Sequence, residues 1–287
     1  MEIREVEISK ILNPTSIDLG EYVINPFRGC ECACLYCYVR HNRVTQRDTR
    51  RWGDYVDIRV NAPLLLEKEL VKKKPQRVLL GSTTECFQPI EKKWRLTERI
   101  LEILNRHKVF YTILTRSPLI LDAVPLLKEG FCEAIYFTMN HFKDSFKRVL
   151  EPKSPPFEKR IEAIKELAGE NIPVIPYISP VLPFISDVSE IFSQCKNSKM
   201  IEYEGLNFNL GNIKEIIERI GEIHPQLHTM YEKMLSDRES YEQTFSRVRR
   251  QIVKEAIRTK TNHRIFIHTW HSYFENRYSK NSCIDIT

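Results

Sequence analysis

No stretch of this chain reaches the ~18 consecutive apolar residues that a membrane-spanning helix needs, so no membrane partner is expected. The opening residues, Met1-Glu2-Ile3-Arg4-Glu5, are acidic and alternating, without the basic start and apolar run of a secretory signal. Internal repeats and low-complexity tracts are missing as well, which argues against a solenoid or a disordered protein. A large excess of one sign of charge is missing, with 44 Lys and Arg against 38 Asp and Glu. The net charge of +6 is a mild basic bias, weaker than a dedicated nucleic-acid-binding module carries. Cysteines spaced as a disulfide framework are missing too, since the eight present are spread very unevenly. These absences lead to the expectation of a cytoplasmic protein in a reducing compartment. What remains is 287 residues, 42% of them hydrophobic, enough for one large α/β domain with or without an appendage.

Four of the cysteines fall within eight residues, in Gly29-Cys30-Glu31-Cys32-Ala33-Cys34-Leu35-Tyr36-Cys37-Tyr38. Three of them, Cys30, Cys34 and Cys37, have the spacing C-x3-C-x2-C. Thiolates bind iron through soft sulfur. This spacing lets one short loop hold three corners of a cubane [4Fe–4S] cluster. An electron-transfer cluster takes four cysteines, so three leave one iron open to a non-protein ligand. The competing reading is a zinc knuckle, because four nearby cysteines also suit tetrahedral Zn²⁺. Zinc sites usually split into two separated pairs, and the sequence has no second pair. Cys30-x-Cys32-x-Cys34 is also cramped for convergence of all four. Cys32 is then a bystander thiol or a neighbour of the ligands.

Strand-like and helix-like patterns alternate from about residue 20. Tyr22–Asn25, Val78–Leu80, Val109–Leu114, Ala134–Thr138, Val174–Ser179 and Met200–Tyr203 read as strands. Pro63–Lys74, Leu96–His107, Leu119–Lys128 and Phe157–Gly169 read as helices. Alternation of this kind implies a parallel sheet. Six strands, with chemistry after the first, fit an open partial barrel whose functional loops follow the C-terminal strand ends. From about residue 213 the chain turns helical and polar, then ends in the aromatic segment His263–Tyr278. The expected division is an N-terminal segment 1–19, a core 20–212 and a C-terminal extension 213–287.

The motif Cys30-x3-Cys34-x-Tyr36-Cys37 resembles the radical S-adenosylmethionine (SAM) signature. The wider string from Asn25-Pro26-Phe27-Arg28-Gly29 to Tyr38-Val39-Arg40 resembles the spore photoproduct lyase-like group of that superfamily, over roughly residues 20–205. The resemblance implies a partial (β/α)6 TIM-type barrel, here with a mostly helical C-terminal extension. It implies a [4Fe–4S] cluster on Cys30, Cys34 and Cys37, with SAM chelated to the open iron and cleaved to a 5′-deoxyadenosyl radical. An external electron donor such as a flavodoxin or ferredoxin follows from that chemistry.

The resemblance also suggests SAM contacts, each with a plainer explanation beside it. Tyr36 occupies the aromatic slot that meets adenine, or packs the loop. Ser82, Thr84 and Glu85, after the second strand, suit SAM's amino group, or cap a helix. Arg116, with Ser117, suits the methionyl carboxylate, since a guanidinium pairs a carboxylate in a planar fork. Arg there departs from the Lys of relatives and changes the reach. Asn140 follows the fourth strand, and Arg148-x2-Glu151-Pro152 resembles a segment that shapes the SAM site. Cys86 lies near the place of a hydrogen-donor cysteine in spore photoproduct lyase, and equally suits a buried small hydrophobe. Cys132, Cys195 and Cys283 read as structural.

A basic run, Arg40–Arg51, follows the cysteines directly, and a second spans Arg247–Lys260. With Trp52 and Tyr55 the first suits phosphate tracking and base stacking, which makes DNA or RNA a candidate substrate. A solvated surface loop is the plainer reading. The tail aromatics His268, Trp270, His271, Tyr273, Phe274 and Tyr278 are expected to pack. Two rivals stay open: a radical SAM enzyme acting on a small molecule or peptide, and a non-catalytic iron–sulfur or zinc sensor that binds nucleic acid.

Overall fold

The computed structural model describes residues 1–267, apart from the side chains of Arg43 and Val44. The tail aromatics and Cys283 lie outside the described residues. The chain forms two compact units. One comprises Met1–Ala33, Arg47–Phe137 and Lys153–Val174, and the other Cys34–Gln46, Thr138–Pro152 and the described residues 175–267.

In the first unit the strand Tyr22–Ile24 pairs in parallel with Arg77–Leu80, and that strand pairs with Phe110–Thr115. Phe110–Thr115 pairs in turn with Cys132–Thr138. Val78, Leu79 and Leu80 are all fully buried, the unbroken apolar run of a strand covered on both faces. The register sets Ile24 beside Leu80 and Leu80 beside Ile113. The loops that begin at Asn25, Gly81 and Arg116 therefore leave the same end of the sheet. Helix Ala62–Lys73 packs on helix Leu96–Arg106, which buries Leu96, Ile100, Ile103 and Leu104 as its spacing requires. A small second sheet pairs Glu2–Val6 in parallel with Tyr55–Arg59, and Phe27–Arg28 antiparallel to the same strand.

In the second unit Val174–Val181 pairs in parallel with Met200–Gly205. Met200–Gly205 pairs in parallel with a further strand, Asn262–Phe266. Helices Ile213–Ile223, Pro225–Ser236 and Arg238–Thr259 follow one another. Phe208 packs among Tyr231, Tyr241 and Phe245 with ring centroids 5.4–6.1 Å apart. Among the described residues no helix is long and apolar enough to cross a membrane.

One expectation needs correction. The stretch expected as one helix, Leu119–Lys128, is a 3-10 helix at Pro118–Ala123 followed by a short α-helix, Val124–Leu127. Pro125 is the cause: it lacks an N–H and its ring clashes with the preceding turn, so one continuous helix cannot form. The C-terminal extension is mostly helical, as expected, and Asn262–Phe266 adds one strand to it. Only Ile265 of that strand is buried, so its sequence carries almost no apolar signal.

Candidate cluster and cofactor site

The first half of the cysteine loop is fixed from inside the first unit. Asn25 donates to Ser82 Oγ at 3.2 Å and accepts from the Thr83 N–H at 2.9 Å. Thr84 Oγ1 donates to the Gly29 carbonyl at 2.7 Å. Gln88 accepts from the Glu31 N–H, and Glu31 accepts from the Ile90 N–H, both at 2.8 Å. Segment 82–90 thus grips residues 25–31. Gly29 sits at φ +87°, where a Cβ would lie 2.3 Å from the Tyr55 carbonyl oxygen, so this turn admits only glycine. Cys30 and Cys32 are buried. The Cys32 thiol is pushed up, first by its hydrogen bond with Cys30 and then by burial.

Glu85 ends this wall. Its carboxylate accepts from Thr115 Oγ1 at 2.6 Å, from the Arg116 N–H at 2.7 Å and from the Phe87 N–H at 2.9 Å. Burial pushes the carboxyl up, against the pull of those three donors. Arg116 is half-buried, and its guanidinium donates to Ser154 Oγ at 3.4 Å. Ser117 Oγ accepts from the Leu119 N–H and so caps the 3-10 helix that follows. Cys86 is fully buried, with its sulfur 4.0 Å from the Leu114 carbonyl oxygen and pressed against Gly81. These are the surroundings of a packed core thiol.

The second half of the loop belongs to the second unit. Cys34 is buried and Cys37 half-buried. The Leu35 N–H donates to the Leu150 carbonyl at 2.9 Å. The Leu35 carbonyl accepts from Asn212 at 2.6 Å and from Arg40 at 2.8 Å. Tyr36 donates its hydroxyl to Glu151, a carboxylate with no exposure at all. Asn140 Nδ2 is shared among the Tyr36 hydroxyl at 2.9 Å, Glu151 Oε1 at 3.0 Å and the Ser179 carbonyl at 3.1 Å. Asn140 Oδ1, on a side chain only 1% exposed, has no hydrogen-bond partner among the described residues. Beyond it, Glu204 accepts from Ser179 Oγ at 2.7 Å and from the Tyr177 hydroxyl at 2.8 Å.

Each unit therefore gathers part of the set expected from the sequence. Ser82, Thr84, Glu85, Cys86, Arg116 and Ser117 stand in one, and Tyr36 and Asn140 in the other. Arg148 is exposed on the helix Asp144–Leu150. Glu204, Tyr177 and Gln88 escaped the sequence reading. Glu204 and Tyr177 sit in strands, where the alternation Glu202-x-Glu204 beside a core residue signals Glu204 and nothing signals Tyr177. The basic run is partly spent inside the protein. Arg50 pairs with Asp48 and Asp57 at 2.7–2.8 Å and lies 4.0 Å over the Tyr55 ring, and Tyr55 is fully buried. A base therefore has no face of Tyr55 to stack on. Arg40 reaches Glu215, whereas Arg47 and Arg51 are exposed.

The donor set fits an iron–sulfur cluster in kind: three thiols at C-x3-C-x2-C spacing, with Cys30 held in one unit and Cys34 and Cys37 in the other. The orphaned Asn140 oxygen supplies an acceptor beside Tyr36 for a ligand's N–H or O–H. Among the described residues no three His, Cys, Asp or Glu side chains group around a single metal ion.

A family model, that of the radical SAM superfamily, matches residues 24–193. An uncharacterized protein of Methanocaldococcus jannaschii is 31% identical over 261 residues, covering 91% of this chain and 96% of that relative. Among solved structures, a spore photoproduct lyase mutant matches with a TM-score of 0.59 at 17% identity, over 76% of this chain and 65% of that one. Another spore photoproduct lyase mutant, with bound AdoMet and dinucleoside spore photoproduct, matches with a TM-score of 0.56 at 16% identity, over 78% of this chain and 66% of that one. This chain thus spans 65–66% of the length of those enzymes. At such identities the likeness is one of fold, and it is the parallel-stranded α/β fold expected from the sequence.

Proposed function

This chain belongs to the radical SAM superfamily, and from that premise we propose that it binds a [4Fe–4S] cluster on Cys30, Cys34 and Cys37 and cleaves SAM reductively. When bound, the reduced cluster and SAM supply a 5′-deoxyadenosyl radical able to abstract hydrogen from a substrate. The observation that carries this reading is that each half of the cysteine loop is anchored within its own unit. Thr84 and Gln88 hold the stretch through Cys30, and Leu150, Glu151 and Asn212 hold the stretch from Cys34 to Cys37. Each half of the loop, held within its own unit, has less freedom to lose when its thiols bind, which lowers the cost of binding.

The remaining residues divide by chemistry. Asn140 Oδ1 receives a hydrogen-bond donor of SAM, because nothing else described satisfies it. Arg116 offers its guanidinium to the methionyl carboxylate, held at its backbone by Glu85. Glu85, with both oxygens occupied by Thr115, Phe87 and Arg116, acts as a brace between two loops and not as a direct ligand. Burial of Tyr36 and Asn140 keeps water from the place where a radical would form.

For the substrate, a nucleic acid is the favoured class. The support is the exposed pair Arg47 and Arg51, next in sequence to the cysteine loop, together with the dinucleoside photoproduct held by the similar lyase. A small-molecule or peptide substrate is the second reading, favoured by the internal neutralisation of Arg40 and Arg50. The test is spectroscopic. Adding SAM to the reduced, reconstituted chain should change the electron paramagnetic resonance signal of the cluster. A signal indifferent to saturating SAM would contradict a SAM-binding open iron.

A further inference from the structure

The aromatic slot before the last cysteine is filled here by a tyrosine whose hydroxyl is not idle. It donates to Glu151, and the same hydroxyl accepts from Asn140 at 2.9 Å. Glu151 is 0% exposed and Tyr36 6% exposed, so neither group exchanges its partner for water at low cost. The residue before Glu151 completes the grip, because the Leu150 carbonyl takes the Leu35 N–H at 2.9 Å. Two consecutive residues, Leu150 and Glu151, therefore clasp two consecutive loop residues, Leu35 and Tyr36, one through backbone and one through side chains. Cys34 and Cys37 flank that clasp directly. Asn140 ties the clasp to the strand Val174–Val181 through the Ser179 carbonyl.

We infer that Glu151 is a positioning residue: through the Tyr36 hydroxyl it sets the second half of the cysteine loop, and with it the thiols of Cys34 and Cys37. The phenol of Tyr36 is then needed, and not only its ring. Groups that orient metal ligands from outside the coordination shell tune both retention and electronic properties of the metal centre. The inference rests on the proposal that this loop holds a cluster.

The test uses the full chain, reconstituted anaerobically with iron and sulfide, as wild type, Tyr36→Phe, Glu151→Gln and Glu151→Ala. Three quantities are read: the rate of iron loss to a chelator, the resonance signal of the reduced cluster, and the unfolding temperature. Tyr36→Phe keeps the ring and its packing, so the fold should survive. It should lose iron about 10-fold faster or more, with an altered signal. Glu151→Gln retains an acceptor for the phenol and should fall between wild type and Tyr36→Phe. If Glu151→Ala does not fold, Tyr36→Phe still decides the matter. Wild-type iron loss and an unchanged signal in Tyr36→Phe would overturn the inference alone. A wild-type chain that takes up no iron would overturn the cluster proposal, and the inference with it.

Discussion

Asp48 shows how a single residue can redirect the meaning of a charge run. Arg28 and Arg50 hold its carboxyl well below the usual carboxylate range, the hydrogen bond from Arg50 being the larger cause. A folded-state pKa below the unfolded value of about 3.9 gives stability that is complete above that pH and is lost as pH falls below it. Asp48→Asn should therefore lower stability near neutral pH and flatten the acid limb of a stability–pH curve. Parallel acid limbs in the two proteins would contradict this. The same network removes Arg50 and Tyr55 from the surface, which residue type and spacing alone did not reveal. Cys86 belongs to this scale too. Its sulfur packs against Gly81 and Leu114, so Cys86→Ala should cost about 1 kcal/mol of stability and leave 5′-deoxyadenosine formation intact. Loss of that product in a folded Cys86→Ala protein would show a part for the thiol in SAM cleavage.

Turns and short elements carry the next set of consequences. At Gly29 the positive φ and the Tyr55 carbonyl leave no room for a side chain. Gly29→Ala should cost at least about 1–3 kcal/mol and reduce iron uptake, since Cys30 is the next residue. Full iron loading with wild-type stability would contradict that. Element-scale features were legible where apolar periodicity was strong. Leu96–Arg106 and Phe157–Gly169 fall where the sequence put them, within one residue at either end. They were hidden where periodicity was weak or interrupted. Pro125 broke a helix that the flanking leucines advertised, and Asn262–Phe266 joins a sheet with one buried residue to its name. The cysteine motif was plain from spacing. Its anchors were not, because Gln88, Glu151 and Asn212 reach the loop from 57, 115 and 177 residues away in sequence.

For the whole molecule, family and fold were readable from eight residues and an alternation of patterns, while the substrate was not. The reason is physical. The cluster loop recurs wherever the same cofactor is held, whereas substrate recognition is written in side chains scattered over several loops. Salt dependence addresses that question. If single-stranded nucleic acid is the substrate class, binding should weaken steeply with salt, and replacing both Arg47 and Arg51 by Ala should lower the log–log slope by roughly 1.4. A slope near zero in the wild type would favour the small-molecule or peptide reading.

The chemistry of the cysteine loop is open to one decisive assay. The chain is reconstituted anaerobically with iron and sulfide, given SAM and dithionite, and assayed chromatographically for 5′-deoxyadenosine, with Cys34→Ala alongside. Formation of 5′-deoxyadenosine by the wild type and its loss in Cys34→Ala is the predicted result. No product from a wild-type chain carrying a full, reducible cluster would contradict the account and favour an iron–sulfur sensor.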